Sequence, residues 1–136
     1  MVRVLFGLFL VAHGLIHTGF VTRAPAASPG APEWPFAMGR SWLISGAGID
    51  EAVIRALGTA LVLVTLVAFV GAGLAWFGFL VPAEWWPAFV IVGSIASIGL
   101  LLAFFHPWLI LGLAIDLVLL YLVIGSGWTA EASAAP

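Results

Sequence analysis

The sequence predicts an all-α protein, an antiparallel four-helix transmembrane bundle with one long loop capping one face. Three observations predict it. Of the 136 residues, 64% are hydrophobic and only 7% are charged, and the mean hydropathy is +1.25. A soluble domain is about 45–50% apolar and about 25% charged, so this chain lacks the charge to clothe a surface in water. The apolar residues also gather into four runs, each near the roughly 20 residues needed to cross ~30 Å of hydrocarbon. Finally, the links after the second and third runs are short, which makes successive helices antiparallel neighbours.

The predicted spans cover residues 2–21, 53–80, 88–105 and 108–124 of a single domain. The first begins behind Arg3 and ends before Ala24-Pro25-Ala26, a layout that resembles a signal peptide. Its apolar run exceeds the roughly 7–15 residues of a signal core and holds two histidines, so it reads as a span. Residues 22–50 form the long loop. Its first half is rich in Pro, Ala and Ser and cannot be helical. The second half, around Trp34, Phe36, Arg40 and Trp42, is too short to span and reads as a cap lying over the bundle. Asp50 and Glu51 suit the positive end of the second helix. That helix is long enough to tilt or protrude. His106-Pro107 joins the last two spans, with proline at a first helical turn. Residues 125–136 are small and polar and predict a loose tail.

Both termini then share one side of the membrane, here side A, and the long loop lies on side B. Tryptophans 34, 42 and 108 fall near side B, and tryptophans 76, 85, 86 and 128 near side A, as an interfacial aromatic belt predicts. Arg23, Arg40 and Arg55 on side B argue for a cytoplasmic side B, while the Pro-rich loop looks external. The two signals oppose each other and fix no orientation.

Several function classes are excluded. The net charge of −2 and the lack of a basic run exclude nucleic acid as a partner. The chain has no cysteine, which excludes disulfides, thiolate metal sites and covalent c-type haem. There is no nucleophile elbow and no glycine-rich phosphate loop. Alternating access is poorly served by four helices without an internal repeat.

The chemistry concentrates at mid-membrane. His13 and His17 stand four residues apart and share one helix face. Asp116 is the one carboxylate deep inside an apolar run. Placing it in lipid costs about 2.5–3.5 kcal/mol, so it must face the bundle interior and find a partner. His13, Thr65, Ser97 and Asp116 all lie near the middle of their spans, and His17 sits ~6 Å closer to side B. These five residues are the predicted intramembrane polar site, with His13 the expected partner of Asp116. His106, Asp50 and Glu51 form a second predicted polar cluster at the side B surface. Small residues beside the polar positions (Gly14, Gly93 and Gly112) mark faces where helices meet. The hydroxyls of Thr59, Thr65, Ser94 and Ser97 are expected to bond the carbonyls four residues back.

The i, i+4 histidines have the spacing of two metal ligands, and Asp116 or His106 would supply a third. The intervening glutamate of zinc proteases is missing. The preferred reading is a neutral hydrogen-bonded pair, with His13, His17 and Asp116 as candidate metal ligands. Haem is disfavoured, because two histidines on one face of a helix cannot be opposite axial ligands. No cofactor is firmly implied.

The residues His13-Gly-Leu-Ile-His17-x-Gly-Phe20, the Trp85-Trp86 pair, and Phe104-Phe-His-Pro-Trp108 with Leu111-Gly-x-x-x-Asp116 resemble a family of small bacterial four-helix membrane proteins. That resemblance covers most of the chain outside the Pro-rich loop and the tail. It implies a multi-pass protein of a bacterial inner (cytoplasmic) membrane and assigns no activity. A looser likeness, of architecture alone, is to DoxX-like proteins, some of which accompany quinone-linked oxidoreductases. The expected function is that of a non-enzymatic membrane protein, either an accessory subunit of a larger complex or a proton- or small-molecule-handling factor. It has the lipid bilayer around it and possible self-association. The alternatives are a membrane oxidoreductase or metal-dependent enzyme using the same residues, and a purely structural subunit.

Overall fold

The computed structural model describes residues 2–26 and 28–128. It is all-helical, with no strand among the described residues. The elements are α1 (Val2–Ile16), a one-turn α2 (Trp42–Ser45), α3 (Glu51–Phe77), α4 (Trp86–Ala103) and α5 (Ile110–Leu120). Flanking turns complete four stretches long and apolar enough to cross a membrane: Val2–Phe20, Glu51–Phe77, Ala83–Ala103 and Pro107–Gly125. This is the architecture of a multi-pass integral membrane protein.

The helix ends differ from the sequence-based limits for identifiable reasons. α3 starts two residues earlier because Asp50 Oδ1 accepts from the backbone N–H of Ala52 (2.8 Å) and Val53 (3.3 Å). It stops at Phe77 because Gly78 adopts φ +67°, and Gly78 and Phe79 return their N–H groups to Ala75 and Leu74. α1 passes into a 3₁₀ turn at His17–Phe20. α5 is bracketed by a 3₁₀ turn (Pro107–Leu109) and a π turn (Tyr121–Gly125). The tail is also more ordered than its composition predicts. Trp128 returns its N–H to Leu122 O at 3.0 Å and packs its ring against Phe6, Trp76 and Trp86. The rest of the expected tail, residues 129–136, lies outside the described residues.

α3 is the hub. It packs against α1 on one side and α4 on the other, and α4 in turn carries α5. All neighbours run antiparallel, because low numbers in one helix meet high numbers in the next. Gly14 lies against Phe69, Gly71 against Phe89, and Gly112 against Leu101. A Cβ at Gly14 would stand 2.8 Å from Phe69 Cβ, and one at Gly73 would stand 2.6 Å from Val11 Cγ2 and 3.0 Å from Gly7 O. Glycine is therefore required there for close approach of the backbones. α1 and α5 face each other across a seam where their backbones scarcely meet.

The aromatic residues sort differently from the simple belt. Trp76 and Trp86 are buried and form a core with Phe6 and Trp128, at centroid separations of 4.7–6.3 Å. Only Trp42, Trp85 and Trp108 are broadly exposed. Trp76 Nε1 donates to Arg3 O (2.9 Å), and Arg3 donates back to Trp76 O (3.3 Å). This clamp holds α1 to α3 at side A.

At side B the long loop does cap the bundle. Ser41, buried, donates to Ala103 O at 2.6 Å, and Trp42 Nε1 donates to Leu102 O at 2.8 Å. Both satisfy carbonyls that the C-terminal turn of α4 leaves without helical partners. Arg40 pairs with Glu33 and donates to Trp34 O, folding the loop onto itself. Phe36 then rests on Gly19 and Phe20, and Met38 on Gly58.

Candidate functional site

α1, α4 and α5 each deliver one part of a buried polar chain. The α1 end presents His13 and His17 on one face, with ring centroids 5.2 Å apart. Phe69 of α3 meets His13 edge-on at 4.7 Å, and Phe9 stacks on it at 5.9 Å. Gly14 and Gly93 both seat Phe69, which draws α1, α3 and α4 together at this depth. Ser97 is one turn beyond Gly93, and Asp116 is one turn beyond Gly112. Each polar side chain is thus carried inward by a small residue that permits the contact.

The bonds form a continuous path. His13 Nε2 lies 2.9 Å from Asp116 Oδ1, the contact the depth argument expects. Ser97 Oγ lies 2.5 Å from Asp116 Oδ2 and 2.8 Å from His17 Nε2. His17 Nδ1 lies 2.8 Å from His13 O. All four side chains are buried.

These distances restrict the protons. A backbone carbonyl only accepts, so Nδ1 of His17 carries a hydrogen and donates to His13 O. One hydrogen must then lie between Ser97 Oγ and Asp116 Oδ2, and another between Ser97 Oγ and His17 Nε2. The serine supplies only one of them. In one arrangement Asp116 is a carboxylic acid donating to Ser97, which donates to a neutral His17. In the other, His17 is an imidazolium donating to Ser97, which donates to a carboxylate. Either way the set holds one proton more than a carboxylate and a neutral imidazole carry. Passage of the Asp116 proton to Ser97 Oγ, with the serine proton going to His17 Nε2, would convert the first arrangement into the second. In both, His13 donates from Nε2 to Oδ1.

No family model, curated protein or solved structure matches this chain. The reading of the site therefore stands on its geometry.

Other predicted residues are placed differently. Thr65 is buried, but its hydroxyl has no partner among the described residues and does not join the His13–Asp116–Ser97–His17 path. Ser94 is in the same position. Of the four hydroxyls expected to bond the carbonyl four residues back, only Thr59 does so, to Arg55 O at 2.8 Å. At side B, His106, Asp50 and Glu51 each serve their own surroundings. His106 Nδ1 accepts from Trp108 N–H (3.2 Å), Asp50 caps α3, and Glu51 pairs with Arg55 (2.7 Å). No hydrogen bond joins these three among the described residues.

The bridging role of Ser97 is what sequence reasoning missed. The available signal was Gly93, which marks its face as an interface. Phe36, already part of the expected cap, has a further place that the sequence did not show. It covers the side B end of a cavity of about 130 Å³ between α1 and α5, whose wall includes His13 and His17.

His13, His17 and Asp116 are also the residues that can hold a metal. Each offers a ligand atom, and these atoms lie within 4.8 Å of one another. The His17 Nδ1 bond to a carbonyl is the outer contact usual for a metal-bound imidazole.

Proposed function

We propose that this protein handles protons within the membrane, holding one on the Asp116–Ser97–His17 set and exchanging it between aspartate and histidine. The observation that carries this reading is the pair of hydrogen bonds at Ser97 Oγ, 2.5 Å to Asp116 Oδ2 and 2.8 Å to His17 Nε2. A hydroxyl bridging an acid and a base lets a proton change ends without moving a heavy atom far. Intramembrane carboxylates paired with histidine are the usual parts of such relays. The protein then acts as a proton-handling factor or as an accessory subunit of a larger membrane complex.

The test is proton flux into liposomes carrying the purified protein and a trapped pH-sensitive dye. Ser97→Ala removes the bridge and is expected to lower the flux about a hundredfold, the low end of the range by which a positioned proton-transfer group speeds a reaction. Ser97→Thr keeps the hydroxyl and is expected to retain most of the flux. Equal flux from the native protein and Ser97→Ala would contradict the reading.

A second reading, a metal-dependent membrane enzyme, is favoured by the convergence of three ligand atoms within 4.8 Å. Three protein ligands leave an open position of the kind catalytic zinc sites use. A bound cation would displace the shared proton. Gently purified protein carrying one divalent metal per chain, lost in Asp116→Asn, would favour this reading over the proton one.

A further inference from the structure

The polar chain leaves one ring nitrogen without a role. In both proton arrangements His13 donates from Nε2 to Asp116 Oδ1, so Nδ1 of the neutral ring is a bare acceptor. It has no hydrogen-bond partner among the described residues. The remaining nitrogens and oxygens of the set are engaged with one another or with His13 O.

His13 and His17 also line the 130 Å³ cavity, together with Phe36, Trp108, Gly112 and Ile115. A cavity of about 150 Å³ with apolar walls accepts a benzene ring, so this one is the size of a single ring. It shares Leu111 and Ile115 with a second groove of about 310 Å³, which continues toward side A past Phe6, Phe9 and Leu122. The second groove has apolar walls throughout. The two together follow the seam where the backbones of α1 and α5 scarcely meet. The seam therefore offers an apolar groove and, at its side B end, a ring-sized space whose wall includes the His13 ring. A plain acyl chain fills the groove but leaves the Nδ1 acceptor unused. A charged head has no counter-charge here, because the set as a whole is neutral in both arrangements.

We propose that the α1–α5 seam binds a lipid-soluble amphiphile with an uncharged, ring-sized head bearing one hydroxyl. The head sits beside His13 with the hydroxyl donating to Nδ1, and the apolar chain lies along Phe6 and Phe9. This rests on the proton-holding reading for the state of His13, and on the cavity for size and shape.

The test uses the full chain, labelled with ¹⁵N-histidine and ¹³C-aspartate, in lipid nanodiscs. It is titrated with 4-octylphenol and, separately, with octylbenzene, which has the same ring and chain and no hydroxyl. The expected result is a saturable shift of the His13 Nδ1 resonance with 4-octylphenol. Octylbenzene should bind about fivefold more weakly, the worth of one neutral hydrogen bond of about 1 kcal/mol. No saturable shift with 4-octylphenol, or equal binding of octylbenzene, would overturn the proposal and leave the seam as a place for lipid chains only. Ile115→Trp, which fills the wall shared by both grooves, should weaken 4-octylphenol binding by tenfold or more. Undiminished binding in that variant would likewise overturn it. The spectrum before any addition reports the relay separately. An ionised Asp116 beside a neutral His17 there would sink the proton reading, while the difference between the two probes would still decide the seam.

Discussion

Helix α1 packs against α3 on one side and faces α5 on the other, and the two sides are built differently. Toward α3 the contact is one of shape. Gly7, Gly14 and Gly73 let the backbones approach, Phe69 fills the groove, and the Arg3–Trp76 clamp closes the side A end. Toward α5 the backbones stay apart, and the bond that crosses the seam at mid-depth is His13–Asp116. The lesson concerns where lipid proteins place stability and where they place chemistry. In lipid there is no hydrophobic gain from joining two apolar helices, so close packing must hold them. On the α1–α3 side the Arg3–Trp76 clamp supplies the side-chain hydrogen bonds found between the two helices among the described residues. The α1–α5 side leaves space, and the polar chain occupies it.

The comparison is broken most severely by filling the close side. Gly14→Leu should drive a side chain into Phe69 and the backbone of Leu66, at a cost of about 1–3 kcal/mol or more. Gly99→Leu is the control, because nothing stands within 4 Å of a Cβ there. Thermal unfolding in detergent should show a large loss for the first and almost none for the second. Similar stability in both would mean that the α1–α3 approach is not what holds the bundle.

The next effect comes from the polar side. Asp116→Leu leaves Ser97 and His13 without their shared partner and should cost about 1–3 kcal/mol. Asp116→Asn should cost far less. Its amide N–H can donate to Ser97 and its carbonyl can accept from His13, which copies the carboxylic acid arrangement. The asparagine cannot release a proton, so the fold should survive while proton flux into liposomes is lost. A variant that is stable and fully active would remove Asp116 from the relay.

The smallest expected effect sharpens the contrast. Trp76→Phe keeps a ring in the aromatic core and removes the donor to Arg3 O together with part of a fully buried indole. The hydrogen bond is worth about 1 kcal/mol, and the lost packing adds a comparable amount. Unfolding should show a loss of about 1–2 kcal/mol with no change in proton flux. A change in flux would mean that the side A clamp and the polar chain are coupled.

Much of this was legible in the sequence because lipid imposes simple rules. The length and hydropathy of four apolar runs are enough to place four spans, and the cost of a carboxylate in lipid is enough to send Asp116 inward toward the histidines. What the sequence could not carry is rotation. Each span is apolar all round, so nothing in its pattern distinguishes a Thr65 that lies near the right depth from a Ser97 that also has the right azimuth. The same blindness hid Trp76 and Trp86. An interfacial tryptophan and a core tryptophan near a helix end have the same position in the chain. Helix ends moved by a few residues where a cap or a left-handed glycine, as at Asp50 and Gly78, outweighed hydropathy.

The central claim is that Asp116, Ser97 and His17 share one proton beyond what a carboxylate and a neutral imidazole carry. Solid-state NMR of the protein in bilayers, with ¹³C-aspartate and ¹⁵N-histidine in one sample, reads both groups together. The account predicts either a protonated Asp116 carboxyl with a neutral, Nδ1-protonated His17, or an ionised Asp116 with His17 protonated on both nitrogens. An ionised Asp116 beside a singly protonated His17 would contradict it.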